Sequence, residues 1–365
     1  MKKSQKFLPI SKWPYYNNKV ISETSKILRS GNVNYLSGNY GKNFEKSFSK
    51  YFKIKYSVAV VNATIGLELA IQSLGLNKDD EIIVTPRSYN SSATCIERVG
   101  LKTIFADIDP ITMNIDPESI KQKISSKTKA IICVHLYGMP CAMQKINKIA
   151  KLNNIKVIED CSQAHGSRIN DRYVGSFGDI AVWSFCQDKI ISTGGEGGMI
   201  STNKKDIYNN LWSLKEIGKN KNKYARINPR SNFFPWVHDT IGTNARLTEI
   251  QSSIGIYQLK ELKNYIKIRN ENAKIFIKYL KKCKSLIIPS IPHNIVHAFY
   301  RFTIIIKSEI YDANILMKIL KKYKIKCNVG GCPVLYKEKH FINKYKNLNL
   351  TNDENLENKT VSFIL

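Results

Sequence analysis

Two segments of this chain carry residue types that can do covalent chemistry. Lys189 stands in Ser184-Phe185-Cys186-Gln187-Asp188-Lys189, just ahead of Gly194-Gly195-Glu196-Gly197-Gly198. Upstream, Val157-Ile158-Glu159-Asp160 closes an apolar run and leads into Cys161-Ser162-Gln163-Ala164-His165-Gly166. An acid ending one apolar strand and a lysine following another is an arrangement that holds pyridoxal phosphate (PLP). The lysine amine forms a Schiff base with the cofactor aldehyde, and the carboxylate keeps the pyridine nitrogen protonated so that the ring accepts electrons. Alone, such an aspartate would read as a turn or helix cap and such a lysine as a solvated surface group. Gln163, the glycines and the preceding apolar runs favour the chemical reading.

Three further candidates accompany them. The Ser184 hydroxyl ends an apolar run and is suited to a phosphate. Asn62-Ala63-Thr64 occupies a turn ahead of a predicted helix over residues 65–74, where free N–H groups and the positive end of the helix dipole suit an anion. Thr64 is equally suited to cap that helix. Tyr89 follows a predicted strand and reads either as a ring that stacks on the pyridine or as core. The glycine run lacks both the dinucleotide and the Walker spacing, and reads as a tight turn with Glu196 fixing its backbone. His135, His165, His238, His297 and His340 have no zinc-ligand spacing, so no metal is expected.

A fold must bring these residues together. Apolar runs at 57–61, 81–85, 103–106, 130–134, 156–159 and 180–183 predict strands, and helical patterns over 65–74, 91–99 and 142–152 fall between them. This alternation predicts an α/β fold with a mainly parallel, doubly wound sheet, whose ligands sit beyond the carboxyl ends of the strands. Asn62, Tyr89, Asp160 and Ser184 all fall at such ends. Residues 203–243, with Lys219-Asn220-Lys221-Asn222-Lys223 and Asn228-Pro229-Arg230, read as a polar connection without periodicity. A proline-free helical pattern over 247–283 bridges to a strand at 302–306 and a helix at 313–322. We therefore expect a large cofactor-binding domain over 1–250 and a smaller α+β domain over 251–365. The terminal Val361-Ser362-Phe363-Ile364-Leu365 suits a strand, and suggests that a C-terminal piece is missing.

Composition narrows the function classes. The chain has 365 residues, 43% of them hydrophobic, and a net charge of +28. Lysines are spread along it without a nucleic-acid signature, so the charge reads as compositional drift rather than as a polyanion site. Met1-Lys2-Lys3-Ser4-Gln5-Lys6-Phe7 is not followed by an apolar run, which argues against a signal peptide, and no stretch approaches the roughly 20 apolar residues of a membrane span. The eight cysteines include no Cys-x-x-Cys pair and read as reduced packing residues of a cytoplasmic enzyme.

The ordered set Val61-Asn62-Ala63-Thr64, Asp107-Ile108-Asp109-Pro110, Val134-His135-Leu136-Tyr137-Gly138, the stretch from Glu159 to Gly166, Ser184 to Lys189, Gly195 to Gly198 and Gly242-Thr243-Asn244-Ala245-Arg246 resembles the DegT/StrS-type sugar aminotransferases of the fold-type I PLP group. The resemblance covers nearly the whole chain. It implies Lys189 as Schiff-base lysine and proton shuttle, Asp160 on the ring nitrogen and Gln163 on the phenolic oxygen. It further implies Ser184 with Ala63 and Thr64 on the phosphate, and Tyr89 on the ring face. Asn244 would reach the phosphate of a neighbouring subunit, which implies a homodimer with shared active sites. L-glutamate and a keto sugar, nucleotide-linked, are the implied substrates, for surface polysaccharide biosynthesis. Three departures stand out: Ala63 where glycine is usual, Ala245 in place of tyrosine, and Gly330-Gly331-Cys332-Pro333 in place of a histidine-rich segment. A sugar dehydratase of the same fold is one rival, disfavoured because such relatives carry histidine in place of the lysine. A non-catalytic polyanion-binding or regulatory protein is the other.

Overall fold

Seven short runs rich in Val, Ile and Ala form the central sheet: β1 (Tyr56–Val60), β2 (Glu81–Val84), β3 (Lys102–Phe105), β4 (Thr128–Val134), β5 (Lys156–Asp160), β6 (Ile180–Ser184) and β7 (Gly198–Thr202). In this computed structural model, which describes residues 13–227, 235–307, 311–330 and 334–365, they pair in the order β1-β7-β6-β5-β4-β2-β3. All pairings are parallel except those of β7, which runs antiparallel to both β1 and β6. The parallel sheet is therefore as expected, with one reversed strand that the sequence reading missed. That strand is buried along its whole length and shows no alternation to betray it.

Period-two alternation sends successive side chains to opposite faces. Val58, Val60, Ile82, Val84, Ile132, Ile158 and Val182 face a core completed by Leu67, Ala93, Ile96 and Leu211. These last four come from the helices Ala63–Gln72, Ser91–Arg98 and Lys205–Lys215. On the other face, Ala59, Ala181 and Trp183 meet Phe44, Phe48 and Phe52 of the helix Tyr40–Phe52, while Ile83, Ile131 and Cys133 meet Met143 and Ile146 of the helix Met143–Leu152. The result is a sheet covered by helices on both sides, which leaves its carboxyl edge as the place for a ligand.

The helix Lys205–Lys215 corrects the reading of 203–243 as a polar connection without periodicity. Its Ile207, Leu211 and Trp212 recur at helical spacing, but the Lys and Asn residues around them mask the pattern. Asn228-Pro229-Arg230, Gly331-Cys332-Pro333 and the first residues of the chain lie outside the described residues.

The long helix Glu249–Leu280 starts at Thr248, whose side chain and Gln251 form a capping box. Leu259 and Leu262 pack it against the central sheet; Ala273 and Phe276 pack it against a second cluster. That cluster is built on an antiparallel sheet of β8 (Leu286–Ile287), β9 (Phe302–Ile306) and β10 (Thr360–Phe363), with the helix Ala313–Lys322. The apolar end of the sequence is thus a strand, as expected, paired along β9. Between them the chain returns to the first core through Val334, Leu335, Tyr336 and Phe341. Among the described residues no helix is long and apolar enough to cross a membrane.

Candidate active site

Because β1, β2, β5 and β6 run parallel, the residues that follow them emerge on one edge. A cleft of about 400 Å³ opens there, and Ala63, Thr64, Tyr89, Asp160, Gln163, Ser184 and Lys189 all line it. The structure thus brings together every candidate named for the cofactor except Asn244, which is exposed and accepts from Arg246 Nη1 at 2.9 Å.

Asp160 is the last residue of β5 and is 4% exposed. Its Oδ2 accepts from Ser92 Oγ at 3.0 Å and its Oδ1 from the Ser162 backbone N–H at 3.1 Å. Ser88 and Ser92 hydroxyls lie 2.8 Å apart and extend this chain. A buried carboxylate is stable only with such partners. Gln163 Oε1 accepts from the Tyr137 N–H at 2.8 Å, which fixes the amide and directs its NH₂ end away from that bond.

The helix Ala63–Gln72 is capped by Asn62, whose Oδ1 accepts from the Ile65 N–H at 2.9 Å. Asn62 therefore takes the capping role considered for Thr64. The N–H groups of Ala63 and Thr64 lie in the first turn, where the helix offers them no carbonyl. Ala63 has no positive φ, so alanine is accommodated there without backbone strain. Ser184 Oγ accepts from the Cys186 N–H at 3.3 Å and keeps its own proton to donate. Tyr89 is 66% exposed, which excludes the core-packing reading.

Gly198 explains part of the glycine run. A Cβ there would sit 2.7 Å from the Asn62 carbonyl carbon and 2.9 Å from the Ala63 nitrogen. Gly198→Ala is therefore expected to push the Ala63-Thr64 turn out of place and weaken PLP binding about tenfold or more, the loss of one to two charge-assisted hydrogen bonds. A PLP titration followed by absorbance measures it; unchanged affinity would show that the turn does not hold the cofactor. Glu196 holds the turn through its backbone carbonyl, which accepts from Thr193 Oγ1 and Gln251 Nε2, each at 2.7 Å, and the residue also lines the cleft.

Lys189 approaches from the loop after β6. Trp13 Nε1 donates to its carbonyl at 2.9 Å, and its Nζ donates to Tyr300 Oη at 3.3 Å. Burial disfavours its ammonium form, but Tyr300 and Asp188 outweigh burial and hold the amine above the ordinary lysine value. Tyr300, Arg301 and Asp188 are site residues that the sequence reading missed; Tyr300 and Arg301 stand just ahead of the strand β9 that it did find. His165 packs 5.6 Å from Trp183. Burial drives it down to about 3, so it is a neutral packing group.

The buried trio His135, Glu159 and Cys161 has its ligand atoms close enough for a metal. The His135 and Glu159 atoms are already committed. Glu159 accepts from Gly175, Phe177 and Gly178 N–H groups, His135 Nε2 lies 3.0 Å from Glu159, and His135 Nδ1 accepts from Cys141 N–H. His135 and Glu159 form a hydrogen-bonded brace under β5.

The donor set fits PLP: first-turn N–H groups and a hydroxyl for a phosphate, a buried carboxylate for a pyridinium nitrogen, and an amine for an aldehyde. Comparison with known proteins agrees. The chain is 38% identical over 272 residues to a GDP-perosamine synthase of Escherichia coli O157:H7, spanning 74% of this chain and 71% of that one. An aminotransferase from Psychrobacter cryohalolentis superposes with a TM-score of 0.94 at 34% identity, over 98% of this chain and 93% of that one. An E. coli GDP-4-keto-6-deoxy-D-mannose-3-dehydratase with bound hydrated PLP superposes with a TM-score of 0.88 at 28% identity, over 97% and 95%. Residues 14–364 match the DegT/DnrJ/EryC1/StrS aminotransferase family; the chain belongs to that family and is a PLP-dependent sugar aminotransferase.

Proposed function

We propose that this enzyme moves the amino group of L-glutamate to a keto sugar carried on a nucleotide. The convergence of Lys189 and Asp160 in one cleft with the free first-turn N–H groups of Ala63 and Thr64 carries this reading. When bound, PLP accepts the electron pair left behind as a Cα–H bond breaks. Lys189 Nζ, once free, takes that proton and returns it on the far side of the transfer. Asp160, held as an acceptor by Ser92 and Ser162, keeps a proton on the ring nitrogen. Ala63, Thr64 and Ser184 hold the phosphate, Gln163 meets the phenolic oxygen, and Tyr89 covers the ring.

Asn244 is exposed and does not line its own chain's cleft, which suits the role of completing a partner's phosphate site in a homodimer. The seven cysteines among the described residues are all free, which suits the cytoplasm, where disulfides are rare. Residues 1–250 serve as the cofactor-binding part and 251–365 as the smaller domain. The dehydratase reading has structural likeness behind it, but Lys189 favours amino transfer, and the assembled cofactor set disfavours a non-catalytic polyanion binder.

The visible spectrum tests the proposal. Protein loaded with PLP is expected to show a yellow band that bleaches on addition of L-glutamate. A band that persists with glutamate but falls with another amino acid would replace the donor. A band that responds to no amino donor would overturn the reading of this chain as a glutamate-dependent transaminase.

A further inference from the structure

Lys189 meets a cluster that the cofactor contacts leave unused. Its Nζ lies 3.3 Å from Tyr300 Oη, 3.5 Å from Asp188 Oδ1 and 4.8 Å from the centre of the Tyr300 ring. The Tyr300 hydroxyl donates to Asp188 Oδ2 in a short hydrogen bond, so its oxygen lone pair is what it offers to the amine. Arg301 Nη2 stands 3.4 Å from Tyr300 Oη and 3.6 Å from Asp188 Oδ2. The trio is held from separate parts of the chain. Trp13 pins the Lys189 carbonyl, and Arg269 of the long helix donates to the Phe299 carbonyl at 3.0 Å and to the Tyr300 carbonyl at 3.4 Å. The lysine side chain is 15% exposed and that of Asp188 46% exposed, so the carboxylate is the end of the trio that meets water.

We propose that Asp188, acting through Tyr300, is the positioning residue that sets the pose and protonation of Lys189. The carboxylate favours the ammonium form of the amine at rest, and the hydroxyl aims Nζ. When the amine must become a base, it gives its proton to water at the exposed Asp188 end of the trio, which leaves the lysine neutral and the tyrosine and carboxylate as they were. The other groups near the amine do not supply this. Arg301 is a fixed cation that opposes a charged amine. His165 is neutral, and burial pushes the Cys186 thiol up, so it too is uncharged. Asp160 is held by Ser92 and Ser162. Glu196 lines the same cleft, but it accepts from Cys186 Sγ and has no contact with Lys189.

The inference rests on Lys189 being the cofactor lysine, and two readouts separate the two ideas. In the full-length, cofactor-free chain, limiting acetic anhydride is applied across pH, and acetylation of the Lys189 peptide is followed by mass spectrometry. Asp188→Asn, which keeps an acceptor for Tyr300 but removes the charge, is expected to lower the Lys189 midpoint by about one unit or more. Tyr300→Phe is expected to lower it as well, and Asp188→Glu to restore it. In the PLP-loaded protein, the pH midpoint of the visible band is expected to move the same way in both variants. Midpoints that match the wild type in Asp188→Asn and Tyr300→Phe would overturn the proposal. A wild-type protein with no PLP band would sink the aminotransferase reading, while the acetylation midpoints would still decide whether Asp188 governs the amine.

Discussion

Lys189→Ala is expected to slow transamination by about 10⁴-fold or more, the upper range for loss of a general base. Among the described residues the cleft holds no second amine that could substitute. Its other polar groups are the carboxyls of Asp160, Asp188 and Glu196, the Cys186 thiol, hydroxyls, amides and the Arg301 guanidinium. A guanidinium does not deprotonate in a protein, so Arg301 cannot replace the lysine, and Lys189→Arg is expected to be as inactive as the alanine variant. The alanine variant should still bind PLP, because Ala63, Thr64, Ser184 and Asp160 lie on other elements. The measurement is the rate at which PLP-loaded protein bleaches in a single turnover with L-glutamate, set against PLP affinity by titration. Full turnover in either variant would remove Lys189 from the mechanism. Loss of PLP binding along with turnover would instead show that the lysine chiefly anchors the cofactor.

Much of this site was legible because parallel sheets advertise it. A strand buried on both faces must read as a continuous apolar run, and the first polar residue after it stands at the sheet's carboxyl edge. Ser184 ends such a run and is placed by that argument alone; after Val157-Ile158 the first polar residue is Glu159, which is buried in the brace under β5, and Asp160 behind it is the one that reaches the cleft. Asn62 and Tyr89 follow such runs closely enough to be carried to the same edge. Ser92 could not be placed, since its bond to Asp160 spans 68 residues and depends on how the helix Ser91–Arg98 sits on the sheet. Tyr300 reaches Lys189 across 111 residues, by way of the long helix and a second sheet. No local pattern marks a residue whose partner is chosen by such a return of the chain. The reversed strand β7 is hidden for a different reason: it is buried along its whole length without alternation, and it begins at Gly198, where the Asn62-Ala63 backbone packs so closely that no side chain fits.

The pair Arg87 and Asp353 is expected to matter most for stability, and through stability for the site. Arg87 Nε donates to Asp353 Oδ1 at 2.6 Å and Nη2 to the Asp353 carbonyl at 3.1 Å, with both side chains 0% exposed. The Val334 N–H donates to the other carboxylate oxygen at 3.1 Å. Burial raises the Asp353 carboxyl above the ordinary carboxylate value, and Arg87 only partly offsets it. Desolvation thus exceeds the attraction, and the pair is not a large net source of stability in itself. Removing one partner is another matter, because the remaining charge is then buried alone. Asp353→Asn and Arg87→Met are each expected to cost about 3–5 kcal/mol, read from urea unfolding, and the double variant Arg87→Met/Asp353→Leu is expected to cost less than either. Arg87 lies two residues ahead of Tyr89, and the Leu335 N–H donates to the Pro86 carbonyl at 2.7 Å, so the C-terminal stretch and the Tyr89 loop are fastened at adjacent points. The single variants are therefore expected to weaken PLP binding while the chain is still folded, and the double variant to restore it in part. Additive costs in the double variant would mean that the two charges act independently. Lost stability with unchanged PLP affinity would mean that Tyr89 keeps its pose without the pair.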